Sequence, residues 1–236
     1  MNKKIRMFVI CVVFALISSC KNDVNSKDLE TSKQSSEQEL ESSKQVEQEI
    51  KKEFNGLLNI LEKKDISNLD EKDTKEIEKT IQELKNKIEN SDSQKTSLLT
   101  YSGYEKKVQE IREKLKDKLQ NKKELEKELK ELEESLKKKK EERKKQLEAA
   151  KQKFEEFKKQ ADTTTGVTHG AQVGSQGKIG GDAWKCANEI GYKNMTSSGS
   201  SDTSNMTKEI IENALKKIEE ELKSIGEGAQ NSEKKK

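Results

Sequence analysis

Three cysteines, one histidine and one dense run of lysines are the residues of this 236-residue chain that could do chemistry. Cys20 has the clearest setting. Ile17-Ser18-Ser19-Cys20 closes an apolar run and has the form of a lipobox, the segment read by lipoprotein signal peptidase. Lys3, Lys4 and Arg6 precede an unbroken apolar stretch, Met7–Ile17, of eleven residues. That is too short to span a bilayer as a stable helix and has the order of an export leader. The expectation is cleavage after Ser19 and acylation of Cys20. Each buried methylene contributes about 0.8 kcal/mol, so several chains together anchor a protein durably where one does not.

The other candidates are weaker. Cys11 would leave with the leader, and Cys186 then stands as a single thiol with no disulfide framework. It reads as a small residue packing beside Trp184. His169 lies in a Gly/Thr-rich stretch with neither a second histidine nor a cysteine pair to complete a zinc site. Gly174-Ser175-Gln176-Gly177 and Gly180-Gly181 lack the preceding strand and the Gly-Lys-Ser/Thr ending of a phosphate loop. No catalytic set, metal site or cofactor is expected.

Charge is the stronger signal. Without Lys3, Lys4 and Arg6, the 48 basic residues fall to 45 and equal the 45 acidic ones. A neutral exported chain argues against nucleic-acid binding. Locally the balance differs. Lys137–Lys159 holds eleven basic and five acidic residues, and seven of the nine residues from Lys137 to Lys145 are basic. Lys137, Lys138, Lys140, Arg143, Lys144, Lys145 and Lys151 form the candidate contact set for a polyanion, which binds by releasing counterions. The competing reading is a helix surface laced by the i,i+4 pairs Glu133–Lys137, Glu134–Lys138 and Glu141–Lys145. The terminal Lys236 adds an ammonium beside a free carboxylate, the chemistry that a lysine-binding kringle such as that of plasminogen accepts.

Helices must position these groups. Charged residues are 39% of the chain, hydrophobic ones 29%, and there is no proline. That composition with helical periodicity indicates coiled coil or long helix. Apolar stripes run through Val46, Ile50, Phe54, Leu57 and Leu61, and through Ile77, Ile81, Leu84 and Ile88. Asp73 with Glu76 suggests a capping box, and Asn90–Ser93 a break. One long helix is expected from Thr96 to Gln160, its seam carrying Tyr104, Val108, Ile111, Leu115, Leu125, Leu129, Leu132 and Leu136. The same seam turns Lys118, Lys122, Lys139 and Arg143 inward. Eight of twelve glycines fall between Asp162 and Asn205, which reads as an irregular insertion holding a short Trp184-containing turn stopped by Gly191. A last helix follows with Ile211, Leu215, Ile218 and Leu222.

The reading is an all-α, elongated, bundle-like or coiled-coil-like protein with one very long helix and a Gly/Ser/Thr-rich irregular insertion. Its expected segments are a leader at 1–19 and a lipidated cysteine with flexible tether at 20–36. A helical region at 37–161 and the insertion at 162–205 follow, then a C-terminal helix at 206–226 and a loose tail at 227–236.

Several motifs match a known family. MNKK…FVICVVFALISSCKN resembles the leader of the OspE/F-related (Erp) surface lipoproteins of Lyme-disease spirochaetes. LDEKDTKEIEKTIQELKNKIE at Leu69–Glu89, LKKKKEERKK at Leu136–Lys145, KFEEFK at Lys153–Lys158 and AWKCAN at Ala183–Asn188 resemble its outer surface protein F branch. The resemblance covers nearly the whole chain, leaving Thr163–Gly181, Met195–Thr207 and the tail as its own. It implies a lipid-anchored protein of the outer membrane, exposed to the host, with heparan sulfate and other glycosaminoglycans as ligands. It also implies rivals: capture of complement factor H or plasminogen, or an immune-facing coat with no dedicated ligand.

Overall fold

The structure is a computed structural model. It describes residues 29–64, 69–119, 123–163, 171–193, 195 and 203–230. Cys20, His169 and Lys236 therefore lie outside the described residues, as does the whole leader. The chain divides into two units, 1–38 and 39–236. In the first, the described residues 29–38 are helical. The remainder of the description concerns the second unit.

The described residues are helical and contain no strand, so the chain is all-α. The helices are α1 (Leu29–Lys63), α2 (Glu71–Glu89), α3 (Leu98–Leu119), α4 (Lys123–Thr163), α5 (Ala171–Glu189) and α6 (Thr203–Gln230). Lysine, glutamate, glutamine and leucine cost little in a helix, and no proline interrupts them. The apolar stripes then decide which faces meet. Ile50, Phe54 and Leu57 of α1, Ile77, Ile81, Leu84 and Ile88 of α2, and Ile111 and Leu115 of α3 are fully buried. They form one cluster with Leu125, Leu129, Leu132 and Leu136 of α4. Each such side chain contributes about 1.5–3 kcal/mol on burial.

Cross-helix pairs fix the directions. Lys64 at the end of α1 bonds Asp73 and Glu76 near the start of α2, while Lys87 near the end of α2 reaches back to Glu49 and Glu53. Those two helices are antiparallel. Arg112 with Glu133 and Lys140 with Glu105 make α3 and α4 antiparallel as well. Lys107 to Asn55 and Lys114 to Glu62 keep one offset along α1 and α3, so that pair is parallel. Lys85 to Glu131 and Ser135 to Glu89 do the same for α2 and α4. Two helical hairpins thus lie side by side.

α4 does not end with that core. Its second half enters another cluster through Leu147, Ala150, Phe154 and Ala161, joined by Ala183, Ala187 and Ile190 and by Ile210, Ile211, Ala214 and Ile218 of α6. At 41 residues it reaches roughly 60 Å, a rod shared by both cores.

Five expectations change. The single helix from Thr96 to Gln160 is two, α3 and α4, separated at 120–122. Folding back lets Tyr104, Val108, Ile111 and Leu115 bury against Leu125–Leu136, contact that one straight helix could not make with itself. The segment 162–205 is not irregular throughout, because α5 occupies 19 residues of it. One of its glycines serves close packing. A Cβ on Gly180 would stand 2.5 Å from Thr207 Oγ1, so only glycine lets α5 approach α6 there. Residues 29–36 of the expected tether are helical, since their Glu, Ser, Lys and Gln include no breaker. α6 runs from Thr203 to Gln230, starting before and passing beyond the expected 206–226 and into the expected tail. Finally, the cap of α2 is Asp70, whose carboxylate accepts from Asp73 N at 2.7 Å. Asp73 instead joins Glu76 on Lys64.

Two smaller expectations hold. α2 ends at Glu89, with Asn90 as its C-cap. Gly191, at φ +80°, closes the helix that carries Trp184. Tyr192 N–H donates to Ala187 O at 2.8 Å and Gly191 N–H to Asn188 O at 2.9 Å, the paired bonds of a Schellman stop. Cys186 is a buried thiol in the second core.

Candidate functional site

The basic run lies on the middle of α4, where the rod passes from the first core to the second. Helical geometry sorts it before any ligand is considered. Leu136, Arg143 and Leu147 point to one side, and all three are buried. Lys138 and Lys145 fall on the opposite side and are exposed, while Lys137 and Lys144 share a flank, the first exposed and the second half-buried.

Arg143 has left the solvent altogether, at 1% side-chain exposure. Its Nε and Nη2 donate to Glu221 Oε1 and Oε2 of α6, each at 2.9 Å. Nη1 donates to Ile190 O at 3.0 Å and also to Gln94 O. The guanidinium stands 5.7 Å from the Tyr192 ring centroid. Glu221 is equally engaged: Leu98 N–H donates to Oε1 at 2.8 Å and Tyr192 O–H to Oε2 at 2.7 Å. One ion pair therefore joins α4, α6, the start of α3, the 90–97 connection and the stop of α5. Burial alone would raise the Glu221 carboxyl, but the hydrogen bonds and charge of Arg143, with Leu98 and Tyr192, hold it below its ordinary value. Burial also pushes the Tyr192 hydroxyl up, assisted by the Glu221 charge.

Other members of the candidate set are occupied too. Lys140 donates to Glu105 at 2.6 Å and Lys151 to Glu219 at 2.9 Å. Lys139, in the run but outside that set, donates to Ser91 O at 2.8 Å, behind the break that ends α2. Of the seven residues read from sequence as a polyanion surface, Arg143 is thus corrected to a buried structural group. Lys140 and Lys151 already have carboxylate partners.

Lys137, Lys138, Lys144 and Lys145 remain. None of these four is ion-paired or hydrogen-bonded to a described residue. The expected i,i+4 pairs do not hold them: Glu133 is taken by Arg112, with bonds of 2.7 and 3.0 Å. Glu134, Glu141 and Glu148 share their exposed side of the helix, so the patch is cationic by a narrow margin.

Sequence reasoning placed Arg143 inward but did not find Glu221 or Tyr192. The available signal for Glu221 was its place three residues after Ile218, on the edge of the α6 stripe. A carboxylate there has to meet a cation or be expelled. No protein-family model, no curated protein and no solved structure matches this chain.

Proposed function

We propose that this chain is a lipid-anchored surface protein of the OspF type, a helical bundle displayed on a bacterial outer membrane that binds sulfated polysaccharides of the host. The anchor in this reading is Cys20, and the ligand-facing groups are Lys137, Lys138, Lys144 and Lys145. The observation that carries the ligand class is local. In the middle of α4, where Lys139, Lys140, Arg143 and Lys151 are tied to carboxylates or carbonyls, these four ammonium groups cluster without a partner among the described residues. A dense sulfate chain meets several of them at once and competes only with exposed glutamates, whose pairing is worth ~0–1 kcal/mol each.

The acylated full chain in detergent should be retained on heparin, with retention collapsing as salt rises. Equal binding at low and high salt would mean an apolar protein interface, and no binding would remove the polysaccharide reading. Labelled palmitate should enter the wild-type chain and not Cys20→Ala. Label in that variant would remove the anchor.

A further inference from the structure

Two adjoining pockets open on the side of the second unit where α1 runs parallel to α3. One, of about 340 Å³, is lined by Lys51, Asn55, Leu99, Thr100, Gly103, Tyr104 and Lys107. The other, of about 280 Å³, is lined by Lys44, Glu47, Lys95 and Lys193 together with Ser43, Ser97, Thr100 and Gly191. Thr100 belongs to both walls, so they form one groove. From Lys44 to Asn55 it follows α1 for roughly 16 Å.

Its charge is one-sided. Five lysines line the groove and Glu47 is the only carboxylate among the lining residues. Burial raises the Glu47 carboxyl, against the pull of Lys51 and other cations nearby. α3 begins here, with Ser97 just before it accepting from Thr100 N–H at 3.1 Å, and its positive end adds to the field. The apolar part of the lining is different in kind. Leu99 is 70% exposed, the most exposed large apolar side chain among the described residues, and Gly103 has nothing within 4 Å of where a Cβ would stand. Lining cations, hydroxyls and one exposed apolar side chain suit a chain with anionic substituents and a carbon-rich ring face.

The end lined by Lys95, Gly191 and Lys193 is held in place. Gly191 packs against the backbone of Lys95, whose Cα would be 3.1 Å from an added Cβ. Lys217 donates to Lys193 O at 3.1 Å. The Arg143–Glu221 pair fixes both chain segments at this end by bonding Gln94 O, Ile190 O and Leu98 N–H. The backbone that carries Lys95 and Lys193 is therefore preorganised, which lowers the ordering cost of binding there.

We infer that the α1/α3 groove is a second polyanion site, separate from the α4 lysines, that seats a short sulfated oligosaccharide with its sulfates on Lys44, Lys51 and Lys193 and a sugar face on Leu99. The ligand class rests on the function proposed above; the site does not use its residues. Acetylation footprinting of the acylated full chain, with and without a heparin hexasaccharide, reads each lysine separately by mass spectrometry. Lys44, Lys51 and Lys193 should lose reactivity when the sugar is present. Lys44→Gln, Lys51→Gln and Lys193→Gln together should elute from heparin at lower salt with unchanged helicity. Protection confined to Lys137, Lys138, Lys144 and Lys145 overturns the groove while leaving the polysaccharide function intact. A wild-type chain that heparin does not retain overturns both.

Discussion

Arg143 of α4 and Glu221 of α6 face each other through two parallel hydrogen bonds of 2.9 Å, between the two hydrophobic cores that α4 serves. Neither side chain is exposed by more than 10%. The pair is satisfied by Gln94 O, Ile190 O, Leu98 N–H and Tyr192 O–H, so little buried polarity is left over. Such a pair adds less net stability than its geometry suggests, yet breaking it strands a charge in the interior. Its structural role is to set the register of α4 against α6.

Removing one partner should therefore be far worse than removing both. Arg143→Met or Glu221→Leu alone should lower unfolding stability in urea by about 3–5 kcal/mol. The double replacement should recover most of that loss. Single variants within 0.5 kcal/mol of wild type would mean the pair is a surface contact.

Acid should loosen the same joint. The folded Glu221 carboxyl is held below its ordinary value of 4.5. Its contribution is then complete above that ordinary range and is lost as pH falls through the lower folded value. Glu126, Glu131 and Glu219 shift in the same direction through their lysine partners, but all three are solvated. Thermal melts between neutral pH and pH 3 should show a steeper decline for wild type than for Glu221→Gln. Parallel declines would assign the acid sensitivity elsewhere.

Glycines in this chain divide by what surrounds them. Gly191→Ala places a Cβ in a left-handed conformation and 3.1–3.3 Å from Lys95 backbone atoms, and should cost at least about 1–2 kcal/mol. Gly56→Ala sits within α1 with nothing inside 4 Å and should stabilise by about 0.5–1 kcal/mol. Denaturant midpoints of the two variants should move in opposite directions. Equal movement would contradict the geometry at Gly191.

The stripes of α1, α2 and α3 and of the first half of α4 could be read from the chain because side-chain burial repeats at steps of three and four. The turn between α3 and α4 could not. Leu119-Gln120-Asn121-Lys122 holds neither glycine nor proline, and the reversal is stabilised by contacts far along the chain, Arg112 with Glu133 and Glu105 with Lys140. Lys118 and Lys122 on the expected seam were the one local hint. α5 was obscured for the opposite reason. Each helical glycine costs nearly 1 kcal/mol, so its run of glycines reads as a break until Thr207 is seen against Gly180. At the candidate site, density of charge suggested seven equivalent residues, whereas helical phase separates Arg143 from Lys137, Lys138 and Lys145. Which lysines are paired depends on carboxylates of α3 and α6 that no local pattern reveals.

Salt-gradient elution from heparin of the full chain carrying Lys137→Gln, Lys138→Gln, Lys144→Gln and Lys145→Gln tests the polyanion reading most directly. Glutamine keeps helix propensity, and none of the four lysines bonds a described residue, so helicity and melting should match wild type. The variant should elute at lower salt, with a shallower dependence of binding on ionic strength. Elution at the wild-type salt concentration would contradict the assignment and leave this face of α4 a solvated helix surface.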